Sequence, residues 1–430
     1  MKLRIESVDI KTVKTGTKTY VSDHILFFNP KELEKVILRD ERIESVELKV
    51  VNPGEHVRIV NVVDVIQPRC KVGRENEDFP GYLGKIAVAG TGTTRSLRNI
   101  SVVLSNRYSK RPYSSIIDLF GIGAKMSKYG CMKHISVDPV PAGNTDEREF
   151  ESAVKLAGLK TAVYLAKAAD DHSTDETEVY DLDITNLAHD KKSYLPKIAY
   201  YYQLHTPQHD YQGIGDPILY GTEVTDLLPT VIHPNEILDG AVVNTHTIRA
   251  MDTYSIQNHP VIKDLYKRHG KELIFAGVVV GVASIEPIQR ERMSMMAANL
   301  ISNTLCAEGV ILTKVHGGMP HVDLAFTADA CERAGVKTVI FVNSWSSEGT
   351  FADQALFSSE FIDGVINIGN TFEKIRLPQT ERILGGTIET PIFNPAFSQK
   401  AGDGSVEIEG FLLAGVYDHI GGAPIISIEC

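Results

Sequence analysis

Apolar positions follow three different rhythms along the chain. From Met1 to about Pro141 short alternating runs dominate. Leu3 to Ile10, His24 to Phe28, Val46 to Val51 and Val57 to Val63 are rich in Val, Ile and Phe, with Pro53-Gly54 and Pro68 as punctuation. Such alternation predicts half-buried strands, so this part reads as a mostly β domain. One helix interrupts it at Pro30, where Asn29 supplies an N-cap and proline suits the first helical position.

The second rhythm is helical. Thr145 to Ala169 predicts a long helix: Asn144 or Thr145 caps it, acidic residues fill the first turn, and Phe150, Val154, Ala157, Thr161 and Leu165 share one face. The charged run DDHSTDETEVYD that follows has little to bury. It reads as a solvated linker with His172 facing water.

From Lys197 strands alternate with helices. Lys197 to Leu204 predicts a strand, and Leu273 to Val282 is the nearly continuous apolar run of a strand covered on both faces. Pro287 opens a helix with Met293, Met296 and Leu300 turned inward. A strand over Gly309 to Val315, a helix from Val322 to Ala334 closed by Gly335, and strands at Val336 to Val342 and Gly364 to Ile368 complete the series. This order implies a parallel sheet with right-handed crossovers. The predicted fold class is α/β, with a β-rich N-terminal domain (residues 1–143), a helix and linker (144–194), and an α/β substrate domain (195–430) made of two units, 195–270 and 271–430.

Composition narrows the class of protein. The chain has 430 residues, 43% hydrophobic and 23% charged, and a formal charge of -11, which fits an ordinary globular chain of two or three domains. An acidic balance excludes a nucleic-acid surface, and the basic run Arg107 to Arg111 is short enough to be a solvated loop. Cys70, Cys131, Cys306, Cys331 and Cys430 are widely spaced, with no CxxC, and predict free thiols in a reducing compartment. Cys306 and Cys331 fall within the two later helices, at positions that suit a core. Neither a basic-then-apolar leader nor an uninterrupted apolar run of membrane length occurs, so the expectation is a cytoplasmic protein without a membrane span.

In open parallel sheets ligands bind beyond the carboxyl ends of the strands. That rule selects His316 to His321, Asn343 to Gly349 and Gly369 to Thr371. In the first of these, His316, Gly317, Gly318 and His321 are substrate-binding candidates, because glycines after a strand let backbone N–H groups approach a carboxylate at a helix start. The Gly121-Ile122-Gly123 and Gly90 to Thr94 runs lack the strand, GxGxxG and helix context of a dinucleotide site and read as turns. Ser344, Ser346 and Ser347 lack the GxSxG setting of a nucleophile.

His205 and His209 have the spacing of a helical metal pair, but Pro207 stands between them and HExxH is absent. They read as loop histidines, His209 being a further substrate-binding candidate, and no metal is expected. A metal-dependent hydrolase or lyase using His205, His209 and His246 is the alternative. The segment Asp239 to Gly270 holds His246, His259 and His269 among loop-forming residues, with His233 just upstream, and is expected to lie near the chemistry.

Five stretches carry a resemblance: NPGEHVRIVNVVDVIQPRCKV (Asn52 to Val72), IIDLFGIGAK (Ile116 to Lys125), DEREFESAVKLAGLKTAVYLAKAA (Asp146 to Ala169), PTVIHPNEILDGAVV (Pro229 to Val243) and NHPVIKDLYKRHGKE (Asn258 to Glu272). Together they resemble the proprotein subunit of component B of the anaerobic glycine, sarcosine and betaine reductases, and its D-proline reductase relative. The resemblance implies self-cleavage at a cysteine shortly after the DGA segment, leaving a pyruvoyl carbonyl that captures the substrate amine as a Schiff base. A partner subunit carrying selenocysteine or cysteine then attacks the activated carbon.

Here the position of that cysteine falls at Thr245 or Thr247, preceded by Asn244 or His246, and no cysteine lies between Cys131 and Cys306. Elimination at threonine would leave a 2-oxobutyryl group. The expectation is therefore an intact chain without a pyruvoyl group. The loop around Thr245, His246, Thr247 and Asp252 would then bind a substrate that needs no Schiff base, such as a quaternary amine, or do acid–base work through His246. The predicted function is a substrate-binding and activating subunit of an amino-acid-reductase-like complex that cleaves a C–N or related C–X bond. Its predicted partners are a selenocysteine- or cysteine-containing reductase subunit and a small amine or amino acid, with the chain itself in an oligomer. A non-catalytic scaffold subunit is the other alternative.

Overall fold

The computed structural model describes residues 1–74, 76–109, 115–184, 194–204, 217–225, 227–244, 251–283, 287–314, 319–344, 361–362, 364–386 and 398–422. The N-terminal half is built on two larger sheets and a small three-stranded one formed by Thr12–Thr15, Tyr20–Ser22 and Ile25–Phe28. In the first, β1 (Lys2–Asp9), β4 (Arg69–Lys71), β5 (Gly92–Arg98) and β9 (Glu176–Asp181) lie in the order β9-β1-β5-β4. In the second, β2 (Ile43–Val51), β3 (Val57–Ile66), β6 (Ile100–Ser105), β7 (Ser115–Asp118) and β8 (Lys133–Pro141) lie in the order β7-β3-β6-β8-β2. β3 is buried along its whole length, as its apolar run requires.

Two longer helices serve this half. α1 (Pro30–Ile37) starts as the sequence predicts, with Asn29 Oδ1 accepting from Lys31 N. α2 (Glu147–Lys167) is capped by Asp146, one residue beyond the predicted Asn144 or Thr145, because the Asp146 carboxylate accepts from both Arg148 N and Glu149 N. Phe150, Val154, Ala157, Thr161 and Leu165 are all buried, as their shared face predicts. The helix sits close on the sheet: a Cβ on Gly158 would stand 2.3 Å from Leu104 Cδ1.

Two local predictions are corrected. Glu176 to Asp181, read as linker, is an edge strand antiparallel to β1, and buries only Tyr180. Polar edge strands carry little apolar signal. Gly121-Ile122-Gly123, read as a turn, opens a six-residue helix (Gly121–Met126), and Gly121 takes the positive φ of +65° at its start.

The second half contains a six-stranded sheet. β10 (Lys197–Leu204), β11 (Thr230–Ile232), β12 (Ile274–Val282), β13 (Gly309–Thr313), β14 (Lys337–Ser344) and β15 (Gly364–Asn370) lie in the order β11-β12-β10-β13-β14-β15. All neighbours are parallel except β11, which runs antiparallel along β12. The chain crosses from β10 to β12 on one side and then returns to β13 on the other. That reversal puts the topological switch point between β10 and β13. Along β10 the side chains alternate: Tyr200 and Tyr202 face Val261, Ile262 and Leu265 of α4 (Pro260–Arg268). Ala199 and Tyr201 face Ala297 of α5 (Pro287–Asn299) and Leu324 and Ala328 of α6 (Met319–Arg333). Cys331 is buried in α6, whereas Cys306 lies past the helix end at a φ of +51°.

The end of the chain turns back to the first half. β16 (Lys374–Leu377) pairs with β18 (Val406–Glu409), while β17 (Arg382–Leu384), between them in sequence, pairs with β3. Ile375, Leu377, Ile408 and Leu413 pack with Val60 and Ile116. Buried Arg58 ties the same region down with a bidentate pair to Asp118 and a bond of 2.8 Å to Pro378 O. This return carries Asp418 and His419 to the carboxyl edge of the parallel sheet.

Candidate functional site

Lys314 follows β13 directly and is wholly buried. Its Nζ donates to Asn343 Oδ1 at 2.6 Å and lies 3.5 Å from His419 Nδ1. Asn343 Nδ2 in turn donates to Thr371 Oγ1. One polar chain thus joins the ends of β13, β14 and β15, where the strand-end rule placed ligand loops. Burial holds the Lys314 ammonium well below the ordinary lysine range, which favours the neutral amine.

Beside it, Thr313 Oγ1 meets the Tyr200 hydroxyl at 2.5 Å, and that hydroxyl lies 3.1 Å from His259 Nε2. Tyr202 stands edge-on to the same ring, at 5.0 Å between centroids. Burial pushes His259 down to about 3, so the imidazole is neutral at physiological pH, and its Nδ1 has no hydrogen-bond partner among the described residues. Predicted from sequence as part of the chemistry-bearing segment, His259 is a wholly buried member of this layer.

A second chain of polar groups approaches from below. Asp252 caps the short helix α3 (Thr253–Gln257), accepting from Ser255 N at 2.7 Å and Ser255 Oγ at 2.8 Å. Lys128 Nζ donates to Ser255 Oγ at 2.7 Å and pairs with Asp418 at 3.2 Å. Burial disfavours the Lys128 charge, but the Asp418 and Asp252 carboxylates more than offset it and hold the ammonium above its usual range. Asp418 and His419 are adjacent, so the chain from Asp252 ends against Lys314.

Asn244 and Thr253 are tied to each other and to the N-terminal half. Asn244 N donates to Thr253 Oγ1 at 3.0 Å, and Thr253 Oγ1 donates to Asp64 Oδ2 at 2.6 Å. Burial pushes the Asp64 carboxyl up to about 7. Upstream, the Asp239 carboxylate accepts from Lys71 Nζ, Gly90 N and Thr94 Oγ1. The Gly90 to Thr94 run, read as a turn, is two loop residues leading into β5, and the Gly90 N–H points at an anion that is the chain's own Asp239. Arg69 bonds Leu238 O, Gln257 O and Asn258 Oδ1.

Of the predicted site residues, Asp252 and His321 lie among the described residues. Thr245, His246, Thr247, His316, Gly317, Gly318, His209 and His205 lie outside them. His321 is 1% exposed, in the first turn of α6 on the inward side with Leu324 and Ala328. Asp252 belongs with the opposite face of the sheet, beside Met251 and Ile256. Among the described residues no three His, Cys, Asp or Glu side chains are gathered to hold a metal. Sequence reasoning missed Lys314, Lys128, Asp64 and His419. Only Lys314 had a readable signal, a charge directly closing an apolar strand.

These features define a multi-sheet α/β protein with a buried, mixed-charge polar layer along the carboxyl edge of its parallel strands, the setting in which such folds hold small polar molecules. No helix among the described residues is long and apolar enough to cross a membrane. The family of glycine/sarcosine/betaine reductase component B subunits matches residues 1–423, and the chain belongs to it. It is 31% identical over 430 residues to the glycine reductase complex component B subunits alpha and beta of Acetoanaerobium sticklandii, a match covering 98% of each chain. With the sarcosine reductase complex component B subunit alpha of Peptoclostridium acidaminophilum it shares 31% over 391 residues, 90% of this chain and 89% of that one. With the betaine reductase complex component B subunit alpha of that organism it shares 30% over 398 residues, 90% and 88%. No solved structure matches the chain significantly.

Proposed function

We propose that the chain is the substrate-binding and activating subunit of an amino-acid-reductase-like complex, acting on a small amine or amino acid and cleaving a C–N or related C–X bond. The observation that supports this most is the Lys314–Asn343–Thr371 chain, which gathers three strand ends into one buried polar layer. Family membership supplies the reaction class. The reducing equivalents come from a partner subunit bearing selenocysteine or cysteine.

The residues present do not fit a cysteine-derived pyruvoyl group. Thr245 or Thr247 stands where the thiol is required, and the nearest cysteines in sequence are Cys131 and Cys306. The chain is accordingly proposed to work uncleaved, with substrate held by strand-end polar groups. The test is amine release from glycine, N-methylglycine and N,N,N-trimethylglycine by the chain together with its reductase partner. Release that depends on both proteins is expected. No release from any of the three, with a partner active toward another component B, would remove the proposal.

A further inference from the structure

Gln203 is the next-to-last residue of β10, the central strand, and is wholly buried. Among the described residues neither its Nε2 nor its Oε1 has a hydrogen-bond partner. Buried side-chain amides are almost always bonded, because an unmade bond forfeits the hydration that the group had in water. An amide left with both ends open at a strand terminus has the form of a binding group awaiting its ligand.

Its surroundings define where that ligand sits. Strand alternation places Gln203 on the side of Ala199 and Tyr201, the side covered by α5 and α6. Across one edge its partner in register is Gly281, where a Cβ would stand only 2.5 Å from Tyr201 Oη. Across the other edge Tyr202 pairs with Thr313, so the next step of the register is Lys314. The helical period puts His321 on the same inward face, one turn above Leu324. The amide therefore stands at the switch point between β10 and β13, close to the amino end of α6.

We propose that Gln203 recognises the substrate as an amino-carboxylate: Nε2 donates to a carboxylate oxygen while Oε1 accepts an N–H from the substrate amine. This rests on the reading of the chain as a substrate-binding subunit and narrows its substrate class. Primary and secondary amino acids satisfy both ends of the amide. A quaternary amine has no N–H and leaves Oε1 buried and unpaired, and a site built around a hydrogen bond discriminates strongly against a ligand that lacks it.

Calorimetric titration of the full chain with glycine, N-methylglycine and N,N,N-trimethylglycine tests this. The wild type is expected to bind the first two at least tenfold more tightly than the third. Gln203→Leu, which fills similar space without polar atoms, is expected to bind all three weakly and without preference while unfolding cooperatively. Gln203→Asn keeps the amide but withdraws it by one methylene, and serves if the leucine variant does not fold; it too is expected to lose at least tenfold for glycine. A folded variant that keeps the wild-type preference, or a wild type that prefers the trimethylated compound, overturns the assignment of Gln203 alone. A wild type that binds none of the three overturns the substrate-subunit reading beneath it.

Discussion

Asp64 offers the sharpest energetic prediction. It sits inside β3, 4% exposed, accepting from Thr253 N at 2.9 Å, Thr253 Oγ1 at 2.6 Å and Val65 N at 2.8 Å. Those three donors favour the carboxylate, but burial outweighs them and raises the group to about 7. In the unfolded chain an aspartate loses its proton near pH 4. Between the two values the folded state keeps a proton that the unfolded state has released. Stability from this group is therefore full below about pH 4 and is lost as pH rises through about 7. Each pH unit in that window is worth about 1.4 kcal/mol, so the full span approaches about 4 kcal/mol.

Urea unfolding followed by far-ultraviolet circular dichroism at pH 5, 6, 7 and 8 measures this. Other groups titrate in the same range; His134 and His259, both depressed by burial, contribute the opposite slope. The useful quantity is thus the difference from Asp64→Asn, which keeps one acceptor for Thr253 N. Relative to wild type, the Asn variant is expected to gain about 1.4 kcal/mol per pH unit between pH 5 and 6.5, levelling off above 7. Parallel curves for the two proteins would show that Asp64 ionises normally in the folded state and that its burial is not felt as described.

Three further outcomes are expected. Asp118→Ala leaves the wholly buried Arg58 guanidinium without its carboxylate and should cost about 3–5 kcal/mol in urea unfolding, much of it recovered in Arg58→Met/Asp118→Leu; a loss within error would mean that the pair is hydrated. Lys314→Met removes the donor to the buried Asn343 Oδ1 and should cost about 1–3 kcal/mol in urea unfolding while leaving the chain folded. The same variant should reduce amine release at least tenfold; full release would place the chemistry elsewhere. Dialysis against a chelator should leave amine release unchanged, whereas a stoichiometric metal whose removal abolishes it would favour the metal-dependent alternative.

β1, β2, β3, α1, α2 and the parallel strands β10, β12, β13, β14 and β15 were legible in the sequence, because each carries a strong apolar period or run, whereas β4 to β8 were not picked out individually. β9 was not, since a charged edge strand is held by backbone pairing that leaves no mark in hydropathy. Nor was the return of the chain end, by which β17 joins β3: pairing between residues more than 300 positions apart is encoded in no local pattern. The site was legible as a place and not as a set of partners. Strand ends told where Asn343 and Thr371 would lie, but that Lys314, His419 and Asp418 meet them follows from the tertiary path alone. The Gln203 amide was invisible for the same reason, as a single polar residue closing a strand is ordinary until its surroundings are known.

On the proposed function, this member of the component B family works as an intact chain, without a carbonyl made from its own backbone. Intact mass spectrometry of the protein purified with its partner tests this most directly. A single species with the mass of the unbroken 430-residue sequence is expected. Two fragments meeting at residues 245–247, the second beginning with a 2-oxoacyl group, would contradict it.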